Sequence, residues 1–210
     1  MPEATRRDAS ADILAEFGVS RETSRRIERI IETLDDWRAR INLIGPREWP
    51  QVWPRHVADS LQLLDHIPPG ARIMDFGSGA GFPGLIIAAD RCRDSRITLI
   101  ESVGKKCAYL RAAATAAGLP VEVVCARVES VTPEPVQIVT ARAVAPLARL
   151  LELSAPWLEN GGIALFPKGR TWHEELTAAQ QSWNFTCEAI VSRTHREGAI
   201  LKISEVIRHA

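Results

Sequence analysis

Ten consecutive residues concentrate the chemistry available to this chain: Asp75-Phe76-Gly77-Ser78-Gly79-Ala80-Gly81-Phe82-Pro83-Gly84. Glycines at this density let a backbone turn sharply and approach a ligand closely. The apolar run Ala71 to Phe76 reads as a strand, and Pro83 to Ala89 reads as a helix. A loop so placed presents the unsatisfied N–H groups of a helix start. In an open parallel sheet it lies at the ligand crevice, at the carboxyl ends of the strands. Glu101 ends the next strand, Arg96 to Glu101, where a carboxylate can accept both hydroxyls of a ribose. Loop and acid together predict an adenosine-containing cofactor held by Asp75, Gly77, Gly79, Gly81 and Glu101. Gly79 to Gly84 also fits the dinucleotide pattern G-x-G-x-x-G. Two things favour S-adenosylmethionine. The Asp75 carboxylate can meet the cofactor's ammonium group, whereas it would repel a pyrophosphate. The chain, at 210 residues, also lacks the substrate domain that most dehydrogenases carry. A plain tight turn is the bland alternative.

Arg142 follows the strand Val136 to Ala141, at the mouth of the same crevice, and can bind carboxylate or phosphate in a fork. Lys168 and Arg170 follow the next strand, Gly162 to Phe166. They offer a local basic patch for RNA phosphates, although a solvated surface role suits Arg170 equally. His56, beside Arg55 and Asp59, is either a hydrogen-bonded structural residue or part of the RNA side of the pocket. Trp49 and Trp53 either stack on a base or pack in the core. After the fourth strand the chain reads Thr140-Ala141-Arg142-Ala143. That is not the Asn-Pro-Pro-Tyr motif used on exocyclic amines, and no Pro-Cys pair is present for attack on a pyrimidine carbon. A ring nitrogen with its own lone pair needs neither.

The elements that position these groups alternate. Val103 to Ala117 reads as a helix after the second strand, Val121 to Ala126 as a third strand, Pro146 to Trp157 and Thr171 to Trp183 as later helices. Cys187 to Val191 and Ala199 to Ile203 are two further strands joined by a short loop, hence an antiparallel hairpin at one edge. The expected fold is therefore α/β: a doubly wound, mostly parallel seven-stranded sheet, Rossmann-like, over residues 68–210. Residues 1–67 read as a helical extension, with Ser20 as N-cap of an amphipathic helix carrying Ile27, Ile30, Ile31, Leu34 and Trp37, then a helix from Val57 to His66. Pro68-Pro69-Gly70 marks its end.

Composition sets the bounds. With 46% hydrophobic and 25% charged residues the chain is globular. Twenty-six basic and 26 acidic residues give no net charge, so any nucleic acid must be met by a local patch. Cys92, Cys107, Cys125 and Cys187 form no C-x-x-C pair; Cys125 reads as core, and neither disulfide nor metal is expected. Isolated thiols suit a reducing cytoplasm. No apolar run is long enough for a membrane span, and the charged N-terminus does not suggest a signal peptide.

Taken in order, several of these segments resemble the glucose-inhibited division protein B family, also called ribosomal RNA small subunit methyltransferase G. The marks are Trp37 with Asn42-Leu43-Ile44, then Arg55-His56-Val57-Ala58-Asp59-Ser60-Leu61, the loop with its Phe82-Pro83-Gly84 ending, and Glu101-Ser102 with Lys105-Lys106. Arg127-Val128-Glu129, Thr140-Ala141-Arg142-Ala143 and Phe166-Pro167-Lys168-Gly169 follow. The match runs from about Trp37 to Ile203. Many family members carry aspartate where Glu101 stands and serine where Thr140 stands, both conservative differences. The resemblance implies S-adenosylmethionine-dependent methylation of a guanine at ring position 7 in 16S ribosomal RNA, free or in the small subunit. It implies cofactor contacts at Gly77, Phe82, Val128, Glu129 and Arg142. Arg142 and His56 are the expected catalytic residues, acting by positioning rather than as a general base, and a monomer is expected. A small-molecule methyltransferase and a nucleotide-binding regulatory protein are the competing readings.

Overall fold

The computed structural model describes residues 3–158 and 161–209, with side chains from Ser10 onward. Its centre is a seven-stranded sheet built from β1 (Arg72–Phe76), β2 (Arg96–Glu101), β3 (Glu122–Cys125), β4 (Ile138–Ala141), β5 (Ile163–Lys168), β6 (Trp183–Val191) and β7 (Ala199–Arg208). The spatial order is β3-β2-β1-β4-β5-β7-β6. The first five strands are parallel, and β7 runs antiparallel to both β5 and β6. Strand order reverses between β1 and β4, and a doubly wound sheet opens its ligand crevice at such a reversal.

Alternation along each strand divides the core in two. Ile73, Ile97 and Leu99 point to one face, where they meet α2 (Arg21–Arg38), α4 (Gly84–Arg91) and α5 (Gly104–Ala116). Met74, Phe76 and Ile100 point to the other, against α6 (Leu147–Ser154) and α7 (Trp172–Ala179). Both faces are covered, which is why the central strands are apolar at nearly every position.

The extension begins with α1 (Glu3–Glu16) and α2. Ser20 caps α2 as expected: its Oγ accepts the Thr23 N–H at 3.0 Å. Ile27, Ile30, Ile31 and Leu34 form the buried stripe of α2, which packs on α4 and α5. The expected helix from Val57 to His66 is instead a chain of short turns. A 3-10 turn at Trp49–Gln51 and a π turn at Trp53–Val57 lead into α3 (Ala58–Leu61) and a 3-10 turn at Gln62–His66. Pro50 and Pro54 sit in the first turns of the two leading segments and supply no N–H. Ser60 Oγ donates to the His56 carbonyl at 2.6 Å, a side-chain bond that competes with regular helix pairing.

Other boundaries differ for local reasons. The last helix stops at Ala179, and Trp183 opens β6, where it is buried. Pro156 turns the end of α6 into a 3-10 turn, Ala155–Trp157. Cys125 is exposed, not core: it ends β3, an edge strand with β2 as its one neighbour. All four cysteines are free thiols. Among the described residues no helix is long and apolar enough to cross a membrane, and no three His, Cys, Asp or Glu side chains group to hold a metal.

Candidate active site

The glycine loop leaves β1 with Gly77, Gly79 and Gly81 all at positive φ. At Gly77, φ is +61° and a Cβ would fall 2.7 Å from Val144 Cγ2, so both conformation and space require glycine there. Glu101, at the end of β2, braces the turn. One carboxylate oxygen accepts the Gly79 N–H at 3.0 Å, and the other accepts the Val103 N–H at 2.8 Å. The Tyr109 hydroxyl, from α5, donates to the Ala80 carbonyl at 3.1 Å.

Asp75 lies beneath this loop and is 0% exposed. Thr140, the neighbouring residue on β4, donates its hydroxyl to Asp75 Oδ1 at 2.8 Å. Oδ2 lies by the Gly84 N–H without a well-formed hydrogen bond. Burial pushes the Asp75 pKa up from 3.8 to about 6, against the hydrogen bonds it receives and the charge of Arg142.

Above the loop lies a cleft of about 740 Å³. Gly77, Ser78, Gly79 and Phe82 of the loop line it together with Leu43, Ile44, Glu48 and His56 of the extension. Arg142 and Lys168, at the ends of β4 and β5, close the remainder. The His56 ring stacks on Phe82, with centroids 5.1 Å apart and planes 24° apart. The Arg142 guanidinium carbon lies 5.3 Å from the centre of the same Phe82 ring. Arg142 also donates to the Arg55 carbonyl at 3.1 Å and lies 3.5 Å from Asp59 Oδ2. Burial lowers the Arg142 pKa, and Asp59 opposes that.

His56 is 8% exposed, and neither ring nitrogen has a hydrogen-bond partner among the described residues. Burial, then the charge of Arg142, lowers its pKa to about 4. It is a neutral imidazole at pH 7.

The expected site residues divide between cleft wall and support. Gly77, Gly79, Phe82, His56, Arg142 and Lys168 are brought together on the wall. Asp75, Gly81 and Glu101 stand behind it. Val128 and Glu129 form a short turn after β3 outside the cleft, and the Glu129 carboxylate is paired with Arg149, which with a backbone hydrogen bond lowers its pKa. Lys168 is committed internally, donating to Glu175 at 2.7 Å and to the Ala145 carbonyl at 2.9 Å. Arg170 lies outside the cleft, exposed and 2.9 Å from Glu197. Trp49 and Trp53 are each 6% exposed and belong to the core.

Glu48, Glu175 and Thr194 were not singled out from the sequence, yet all line the cleft. No motif marks them. Thr194 arrives there because Asp59 Oδ1 accepts its hydroxyl at 3.0 Å, across 135 residues of chain.

A doubly wound sheet with a glycine loop at the reversal point and an acid ending β2 defines a Rossmann-like methyltransferase fold. Solved structures of that kind share it. A SAM-dependent methyltransferase from Aquifex aeolicus matches with a TM-score of 0.59 at 13% identity, covering 75% of this chain and 93% of its own. M. jannaschii TYW2 in complex with AdoMet matches at 0.56 and 12% identity, covering 82% and 80%. The family model for rRNA small subunit methyltransferase G (GidB) matches residues 23–200. The Ribosomal RNA small subunit methyltransferase G of Hyphomonas neptunium is 59% identical over 96% of this chain and 97% of its own length. That of Gluconobacter oxydans is 48% identical over 90% and 97%. This chain belongs to the ribosomal RNA small subunit methyltransferase G family.

Proposed function

We propose that this protein transfers a methyl group from S-adenosylmethionine to ring nitrogen 7 of a guanine in 16S ribosomal RNA, free or in the small subunit. The reading includes a cytoplasmic monomer. The observation that carries it is the single cleft joining the glycine loop to the extension, with His56 stacked on Phe82 across the junction. Family membership supplies the acceptor.

The residues present fit the cofactor. A positive-φ turn at Gly77 and Gly79 exposes backbone at the carboxyl end of β1. Glu101 uses two of its roughly four acceptor positions, one on the loop at Gly79 and one on Val103 at the start of α5, and keeps the rest for a ribose diol. Asp75 acts through its charge, from below the loop, on the cofactor's ammonium group. Val128 and Glu129 would contact the cofactor by their backbone, since Arg149 holds the Glu129 carboxylate. Bound S-adenosylmethionine supplies the methyl group on a sulfonium.

The chain's own contribution is positioning. Guanine nitrogen 7 presents a lone pair in the base edge, so no proton need be removed before attack. His56, uncharged and without partners, serves as a wall for the base rather than a base catalyst. Arg142, held by Asp59 and the Arg55 carbonyl, fixes the side of the cleft between cofactor and RNA. Well-oriented reactants recover roughly 7–11 kcal/mol of barrier. Arg170 offers phosphate contact outside the cleft; Lys168 does so only if it leaves Glu175.

The test offers labelled S-adenosylmethionine to 16S RNA and to small subunits from cells lacking this protein. Label recovered as 7-methylguanosine is expected. Label in another nucleoside, or none in small-subunit RNA, overturns the reading.

A further inference from the structure

Three carboxylates line the cleft: Glu48, Asp59 and Glu175. Two are paired with a cation. Asp59 accepts from Gln62 at 2.7 Å and from Thr194 at 3.0 Å, and faces Arg142 at 3.5 Å. Glu175 accepts from Lys168 at 2.7 Å and from the Leu147 N–H at 2.8 Å. Glu48 differs. Its Oε2 accepts only the Gly45 N–H, at 3.2 Å, which closes the turn on which it sits. Its Oε1 has no hydrogen-bond partner among the described residues, and no cation there pairs with it. The side chain is half-buried, and its charge reaches both His56 and Arg142. Glu48 therefore keeps a carboxylate oxygen free at the cleft, able to accept hydrogen bonds from a bound ligand.

We propose that Glu48 reads the acceptor base, its carboxylate accepting the N1–H and the 2-amino group of guanine. This rests on the reading of the protein as a guanine methyltransferase and adds the residue that chooses the base. Guanine alone among the four bases presents two neighbouring donors on its Watson–Crick edge. Adenine presents one donor and one acceptor there, cytosine one donor and two acceptors, and uracil one donor between two acceptors. A carboxylate matches the guanine pattern and opposes the others. Ring nitrogen 7 lies on the opposite side of the base, so this grip leaves it open to the methyl donor. Leu43 and Ile44, on the same segment of the extension, provide an apolar wall for a flat ring. The loop Gly45–Glu48 thus links the extension to base choice, a task none of the cofactor-side residues performs.

The experiment compares wild type with Glu48→Gln on two full-length 16S RNAs made by the same splinted ligation. One carries guanosine at the mapped methylation site; the other carries inosine, which lacks only the 2-amino group. Wild type should lose about tenfold or more in kcat/KM on inosine. Glu48→Gln should lose about tenfold or more on guanosine and distinguish the two RNAs by no more than about twofold. Glu48→Asp, which keeps the carboxylate, should retain the preference for guanosine at a lower rate. The thermal shift caused by S-adenosylhomocysteine should be the same in all three proteins, which shows that each is folded with an intact cofactor site. A Glu48→Gln enzyme that prefers guanosine as strongly as wild type overturns the proposal. So does wild type that accepts inosine equally well. A wild-type enzyme inactive on the guanosine RNA instead overturns the functional reading, and this inference with it.

Discussion

Replacing Asp75 by asparagine isolates a buried charge whose cost and use can both be measured. Burial places its pKa at about 6, against an ordinary 3.8. The folded protein therefore holds this proton more tightly than the unfolded chain does. The contribution to stability is fully favourable below pH 3.8 and is lost as pH rises toward 6, by about 3 kcal/mol at completion. Above pH 7 the ionised carboxylate is a net burden on the fold. Asparagine keeps an acceptor for Thr140 and carries no charge, so Asp75→Asn should be more stable than wild type at pH 8 by about 1–3 kcal/mol. The same carboxylate should favour the ammonium group of the cofactor. At pH 6 about half of it is protonated, so ligand binding that drives it to the ionised form should release about 0.5 proton. At pH 8 the release should fall to roughly 0.01. His56, with a pKa of about 4, is nearly all neutral at pH 6 and contributes almost nothing. Titration calorimetry with S-adenosylhomocysteine at pH 6, in two buffers of different ionisation enthalpy, counts these protons. Release of the same size in Asp75→Asn, or none in wild type, would refute the argument.

His56→Asn should lower single-turnover methyl transfer by no more than about threefold, because a neutral wall is replaced by a smaller neutral group. A loss of about 100-fold or more with saturating S-adenosylmethionine, the size that general-base catalysis supplies, would show a catalytic base instead. Arg142→Ala should cost about 2–3 kcal/mol in kcat/KM, since it leaves the half-buried Asp59 without its cation and bares the Phe82 ring. Gly77→Ala should lose about 1–3 kcal/mol in stability or cofactor affinity, from positive φ and the approach to Val144, read as a lower melting temperature with and without ligand. Lys168→Glu should destabilise the free protein by facing Glu175, whereas Arg170→Glu should leave its melting temperature within about 2 °C and change only the salt dependence of RNA use.

Much of this architecture is legible in the chain because parallel strands buried on both faces write continuous apolar runs. Arg96–Glu101 needs no correction, and the glycine loop is flanked by the strand and helix it requires. The reading fails where spatial context decides. Val121 to Ala126 looks like core in one dimension, but only sheet order reveals that Cys125 is at an edge. The segment from Val57 to His66 has helical apolar spacing, but it follows the π turn at Trp53–Val57, and the Ser60 bond to the His56 carbonyl disturbs its hydrogen-bond ladder. In the cleft, glycines and the acid of β2 announce themselves by local pattern. Glu48, Glu175 and Thr194 do not: Glu48 sits in a local turn with no motif to mark it, while Glu175 and Thr194 meet partners brought near by folding. Lys168 shows the converse: its charge is evident in the sequence, while the Glu175 that occupies it lies on the following helix.

The packing of α2 against α4 and α5 also sets an order of events during synthesis. Its apolar stripe is made early, yet the surface that covers it is complete only when Ala116 has been added. At about 5–20 residues per second, the chain from Arg38 to Ala116 takes roughly 4–16 s to make. Most of the stability of an amphipathic helix comes from packing its apolar face, so for those seconds Ile27, Ile30, Ile31 and Leu34 lack their cover. The charged residues that crowd the other face of α2, among them Arg25, Glu28, Arg29 and Glu32, keep that waiting segment soluble.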